Sequence, residues 1–149
     1  MRPRDWLLLL IGLDAGPGGP ALDPVRVQKG MFLLAREGGL PPKERYWFVA
    51  YNYGPMSPRI YRDLDALERR GLVERRPAED GLRWRPVAIT ADGAARVAEL
   101  VAGAEDRERR IIAWLAATKR RMAGLTFAEL LTDIYARYPA YAARSVFRR

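Results

Sequence analysis

Apolar positions along the chain fall into short blocks with helical spacing, separated by glycine and proline. Trp6 to Leu13 is apolar throughout and predicts a buried first helix, with Asp5 placed to cap it. Gly12 to Pro20, with glycines at 12, 16, 18 and 19, predicts a loop. Asp23-Pro24 starts a second helix, whose Val27, Met31, Leu34 and Ala35 form one apolar stripe; Gly38-Gly39 and Pro41-Pro42 end it. Arg45 to Tyr53 is aromatic and β-branched and reads as a short extended segment. Gly54 to Pro58 turns the chain, with Ser57 as N-cap and Pro58 as first residue of a third helix built on Ile60, Leu64 and Leu67. Gly71 stops that helix.

Two extended pieces follow, Leu72 to Arg76 and Leu82 to Ile89, joined by a loop with an Asp-Gly turn signal, and they predict a hairpin. Thr90 caps a further helix with Val97, Leu100 and Val101 facing inward. Residues 91 to 121 read as one long helix or as two broken at Gly103. Thr126-Phe127-Ala128-Glu129 is a capping box for a last helix carrying Leu130, Leu131, Ile134 and Tyr138, which Pro139 ends.

Composition narrows the chemistry. The 149 residues contain no cysteine and no histidine, which excludes disulfides, thiol nucleophiles, Cys/His zinc sites and imidazole bases. No carboxylate pair or glycine-rich phosphate loop makes a catalytic constellation, so no enzyme, cofactor or metal is expected. The apolar run Trp6 to Leu13 is too short to span a bilayer and is flanked by Asp5 and Asp14, which favours a cytoplasmic protein over a secreted one.

Twenty-six basic residues, three of them lysine, against 18 acidic give a net charge of +8. Such an excess suits nucleic acid or an acidic protein. Most of it lies in residues 107 to 149, with ten basic and three acidic side chains.

The order helix, extended segment, helix, hairpin, helix is that of a winged helix-turn-helix. Leu64-x-x-Leu67-x-x-x-Gly71-Leu72-Val73-x-Arg75, followed by the hairpin and Ile89-Thr90-x-x-Gly93, resembles MarR-like and PadR-like regulators. Trp6 to Leu10, Val27 to Leu34 with its Gln28-Lys29, Tyr51-Asn52-Tyr53-Gly54-Pro55-Met56-Ser57-Pro58-Arg59-Ile60-Tyr61, and Tyr135 to Tyr141 resemble the YwgA-like group and the Panacea (SocA-like) antitoxin domain. The first resemblance implies promoter binding. The second implies the same fold and, for Panacea domains, a protein toxin as partner.

The expectation is therefore a mainly α (α+β) winged helix, with an extra N-terminal helix and a helical C-terminal extension. Residues 1–102 would form the winged-helix domain and 103–149 the extension, packed on it or forming a dimer seam through Ile111, Ile112, Leu115, Leu125 and Phe127. The expected ligand is duplex DNA, bound by a homodimer acting as a transcriptional regulator. Ser57, with the backbone N–H groups beside it, would hold a phosphate, and Arg59 and Arg62 would meet the major groove. Arg75, Arg76, Arg83 and Arg85 would lie along the wing, Arg83 and Arg85 on one strand face. Asp63, Asp65 and Glu68 read as ion pairs with Arg62, Arg69 and Arg70. Tyr46, Trp47, Phe48, Tyr51 and Tyr53 read as core and turn packing rather than base-stacking groups. Gln28 and Lys29 read either as a polar pair for a partner or as solvent-facing. The alternative to DNA is an antitoxin-like or adaptor protein that holds a protein on the same surface or on the helical tail.

Overall fold

A computed structural model describes residues 1–78 and 85–147. Two helices form its centre. In α1 (Pro3–Gly12), Pro3 opens the first turn, and the Asp5 carboxylate accepts the Arg2 backbone N–H at 2.9 Å. Asp5 is thus the third residue of the helix, closing a capping box, and Arg2 is the cap. In α2 (Pro24–Glu37), the Asp23 carboxylate accepts the Arg26 N–H at 2.9 Å, and Pro24 follows. Trp6 to Ile11 and Val27 to Leu34 are buried on every side. The single stripe expected of α2 is a correction: α1 covers one face, and later elements cover the others. A helix surrounded by packing needs no polar face.

After α2 the chain makes a 3-10 turn (Pro42–Glu44) and a small hairpin, β1 (Val49–Tyr51) with β2 (Gly54–Met56), in register Val49 with Met56 and Tyr51 with Gly54. The extended segment expected from Arg45 to Tyr53 is therefore a strand only at its end. α3 (Pro58–Arg69) follows and buries Ile60, Leu64 and Leu67. β3 (Val73–Arg75) pairs antiparallel with β4 (Val87–Ile89), and Leu22 adds a bridge to Val87 from the loop before α2. Two two-stranded sheets thus sit in a mainly helical α+β molecule.

The junction between α3, the second sheet and α4 (Ala91–Ala102) explains its sequence motif. Gly71 adopts φ +74°, a left-handed conformation that ends α3. The Thr90 hydroxyl donates to the Gly71 carbonyl at 2.6 Å and accepts the Gly93 N–H at 3.0 Å. A Cβ on Gly93 would lie 1.9 Å from the Leu72 carbonyl oxygen, so only glycine lets α4 pack there.

Residues 91–121 form two helices. α4 ends at Ala102, and α5 (Asp106–Ala123) starts with its own capping box, Glu105 N–H to Glu108 at 3.0 Å. Val101, expected inside, is exposed, and Leu100 is half-buried. α5 packs on α1 and α2 through Ile111, Ile112 and Leu115. α6 (Phe127–Arg137) begins with the Thr126–Glu129 capping box and adds Leu130, Leu131 and Ile134 to the same core. One apolar cluster therefore runs from Trp6 to Tyr135, across the expected boundary at residue 102. Of the residues expected to form a dimer seam, Ile111, Ile112 and Leu115 are buried in the chain's own core, and Leu125 and Phe127 pack against it. Beyond α6, Tyr138 and Tyr141 stack edge-on against Phe32, and the Arg36 guanidinium lies 5.7–5.8 Å from all three rings. Among the described residues no helix is long and apolar enough to cross a membrane.

Candidate nucleic-acid interface

The start of α3 is held from inside by Gln28. Its side-chain oxygen accepts the Ser57 N–H at 2.8 Å, and its amide donates to the Ser57 carbonyl at 3.0 Å. Ser57 is the N-cap residue, but its side chain caps nothing and it is buried. The expectation that Ser57 holds a phosphate is therefore a correction. Its backbone is enclosed by α2, and an enclosed peptide group must be satisfied within the protein. Gln28 and Lys29 are buried, so neither faces solvent as one reading had it. Lys29 Nζ donates to the Pro55 carbonyl at 3.1 Å. Burial pulls its pKa down to about 7, against a smaller upward pull from Asp23.

The outside of the same turn is cationic. Arg59 Nε lies 3.8 Å from Asp63 Oδ2, and the guanidinium sits 5.7 Å from the centre of the Tyr46 ring. The Tyr46 hydroxyl donates to Asp63 at 2.5 Å. Burial first, then Asp63, pushes the Tyr46 pKa far up, so the phenol keeps its proton. Arg2 and Arg4 at the start of α1 join Arg59 and Asp63 around a small surface depression of about 180 Å³. Three arginines thus line this depression with one carboxylate that Tyr46 already engages. Arg62, one turn on, is exposed and has no side-chain partner among the described residues.

The second sheet disposes of its arginines differently. Arg75 donates to Glu68 at 2.8 Å and to Asp65 at 2.9 Å. This corrects two expectations. Arg75 is engaged by α3 rather than standing free, and of the acids of α3, Asp65 and Glu68 pair with the strand behind them while Asp63 pairs with Arg59, none of them with Arg62, Arg69 or Arg70. The i, i+3 spacing of Asp65 and Glu68 puts both on one helix face, and β3 carries Arg75 past that face. Arg76 Nε stands 3.8 Å from Glu74. Arg85 folds back on the strand end, donating to the Arg75 carbonyl at 2.7 Å and the Arg76 carbonyl at 3.3 Å. Arg85 stays exposed. Arg83 lies outside the described residues, as do Arg148 and Arg149.

The basic C-terminal third is largely neutralised within the chain. Arg107 meets Glu44 at 3.2 Å, Arg109 meets Asp106 at 2.9 Å and Arg120 meets Asp14 at 2.6 Å. Arg137 bridges Glu37 and Asp133. Lys119 caps the end of α1, donating to the carbonyls of Ile11 and Leu13 at 2.9 and 2.7 Å, and burial lowers its pKa to about 8.

The expected aromatic core holds for Tyr46, which is buried, and for Phe48 and Tyr53, which pack on Phe32 and Phe127. Trp47 departs from it at 89% exposed, with Val49 and Tyr51 exposed after it at alternate positions of β1. Arg2 and Arg4 are the site residues that sequence reasoning missed. Nothing local in the sequence brings residue 4 to residue 59; only the packing of α1 against α3 does so. The described residues contain no group of three or more acidic, histidine or cysteine side chains able to hold a metal ion. The chain matches no model of a known protein family, and no curated protein is significantly similar to it.

Proposed function

We propose that the chain is a cytoplasmic winged-helix protein that binds duplex DNA as a transcriptional regulator, with the start of α3 toward the major groove. The element order supports the fold: a first helix, a strand-like bridge at Leu22, two helices, then a paired β3–β4 wing. The insertion between α2 and α3 is larger than a tight helix-turn-helix turn. The resemblance to MarR-like and PadR-like regulators at Leu64 to Gly93 points the same way.

The observation that carries the function is the cation cluster at the start of α3. Arg2, Arg4 and Arg59 converge there, Arg62 stands beside them, and Arg75 pairs with the helix's own acids Asp65 and Glu68, offsetting one of their two charges. Phosphate oxygens are the natural counter-charge for such a group. On this reading Arg2, Arg4 and Arg59 supply affinity through counterion release, and the exposed Arg62 reads base edges. Fluorescence anisotropy on duplexes tiled across the gene's own upstream region, at two salt concentrations, tests the reading. One tile should bind tightly above a salt-sensitive background. Uniform binding that vanishes near physiological salt would reject it. A homodimer reading two half-sites belongs to the same proposal, and light scattering of the free protein checks it.

A second reading, an antitoxin-like or adaptor protein, is favoured by the exposed Trp47 just before β1 and the exposed Val49 and Tyr51 within it. An exposed aromatic strip of this kind suits the centre of a protein interface. A stoichiometric partner from the native host that survives nuclease treatment, and is lost on Trp47→Ser, would support it over DNA binding.

A further inference from the structure

Beside the Gln28 clamp lies a cavity of about 230 Å³, between the start of α2, the β1–β2 hairpin and the first turn of α3. Its wall includes Lys29, Gln28, Asn52 and the rings of Tyr51, Tyr53 and Tyr61. Lys29 is 3% exposed, and among the described residues its Nζ has one hydrogen-bond acceptor, the Pro55 carbonyl. An ammonium carries three donors, so a single carbonyl leaves it under-satisfied. No Asp or Glu lines the cavity. Asp23, the carboxylate whose charge reaches Lys29, is itself held by Arg26 at 2.8 Å. The result is a buried amine, partly protonated near neutral pH, at the wall of a cavity otherwise lined by neutral hydroxyl, amide and apolar groups.

We propose that this cavity binds a small organic monocarboxylate, with its carboxylate on the Lys29 ammonium and its carbon skeleton among the tyrosine rings. The charge count favours a monoanion. Among the described residues Lys29 is the one basic side chain lining the space, and no arginine lines it to complete the neutralisation of a phosphate dianion. The size favours a ligand below the drug-sized class, whose sites run from about 300 Å³ upward. The chemistry supplies the driving force, since an anion restores the favourable surroundings that burial takes from the lysine.

The cavity is also joined to α3. Lys29 holds the Pro55 carbonyl, two residues before Ser57, and Gln28 holds both backbone groups of Ser57. Tyr61 sits in the first turn of α3 and lines the cavity with Gln28. An occupant that draws on Lys29 or Tyr61 therefore loads the same contacts that orient Arg59 and Arg62. This coupling makes the ligand an effector and rests on the DNA-binding reading; the binding site itself does not.

Calorimetric titration of the free protein with acetate, butyrate, hexanoate and cyclohexanecarboxylate, each beside its neutral primary amide, tests the site. At least one acid should bind saturably, with its amide weaker by about tenfold or more, the effect of a charge-assisted hydrogen bond. Lys29→Met should remove the preference for acid over amide, and Tyr61→Phe should weaken binding while leaving that preference. No saturable binding by any acid up to about 50 mM, or equal binding of acid and amide, overturns the proposal. The acid-against-amide comparison uses the native chain, so it stands even if Lys29→Met fails to fold. Because no DNA is present, acid binding by a protein that ignores duplexes would defeat the regulator reading alone. DNA binding without acid binding would defeat the cavity proposal alone.

Discussion

The first turn of α3 has two sides that handle polar groups in opposite ways. On the inner side Gln28 and Lys29 of α2 are enclosed beside the β1–β2 hairpin and the start of α3, and Gln28 spends its amide on both Ser57 backbone groups. On the outer side Arg2, Arg4, Arg59 and Arg62 face water around one carboxylate. Inside, a polar atom without a partner costs stability directly. Outside, water screens the charges, and their removal costs the fold little. The inner pair therefore belongs to folding and to anything the cavity binds, whereas the outer cluster is available for a charged ligand. Net charge alone does not distinguish them. The C-terminal third holds more cations than the α3 turn, yet most of its described cations are paired with the chain's own carboxylates or carbonyls.

The comparison can be broken first at Lys29. Its folded pKa near 7 lies below its unfolded value of 10.5, so between those limits the unfolded chain binds more protons. Stability should therefore rise as pH increases from about 7 toward 9.5, by a few kcal/mol on the order of the shift. Lys119 adds to the same trend with a smaller shift. Above that range the raised pKa values of Tyr61, Tyr135 and Tyr138 reverse the sign, because unfolded tyrosines lose their protons first. Urea midpoints across this range should show the rise in the native chain and a much flatter profile in Lys29→Met. An identical profile would mean that Lys29 is not the titrating group.

Gln28→Leu comes next. It strands the buried Ser57 N–H and carbonyl together, at a cost of about 3 kcal/mol. Thermal unfolding should fall by roughly 9 °C for a chain of this size. A change under about 2 °C would show that water or a shifted backbone replaces the clamp.

On the outer side, Arg59→Ala with Arg62→Ala should leave the melting temperature nearly unchanged and weaken duplex binding about 30-fold, with the salt slope reduced by about 0.9 for the phosphate contact of Arg59. Arg120→Ala with Arg137→Ala is the paired control and should leave that slope as it is. Equal losses from both pairs would mean that bulk charge, not the α3 cluster, drives binding. Arg75→Ala should have the smallest effect, about 1 kcal/mol or less of stability, because its partners Asp65 and Glu68 are partly exposed. Its clearer mark would be a severalfold drop in duplex affinity, as two uncompensated carboxylates face the phosphates.

Much of the fold was legible in the chain itself. The caps at Asp23, Thr90 and Thr126, the stop at Gly71 and the strand pairing before Ile89 depend on neighbours within a few residues, and all appear in the structure. The site was less legible. The two arginine positions at the start of α3 were readable from helix-cap chemistry and lie on the exposed side as expected. Ser57 was misread because its capping role and its burial look alike in sequence. Arg75 was misread because a strand arginine carries no local sign of which carboxylate it will meet. Trp47 was misread because an aromatic residue among aromatics is ordinarily core, and here the segment leading into β1 leaves it in solvent.

Local chemistry along the chain determined where helices begin and end, that no thiol or imidazole chemistry is possible, and that the protein is basic. Tertiary packing decided which of those basic groups are free. It buried α2 on all sides, enclosed Gln28 and Lys29 beside a cavity, drew Arg2 and Arg4 to Arg59, and neutralised much of the C-terminal third. The division has a physical cause. Capping and turn preferences act over three or four residues, whereas desolvation and ion pairing depend on which distant surfaces hydrophobic burial presses together.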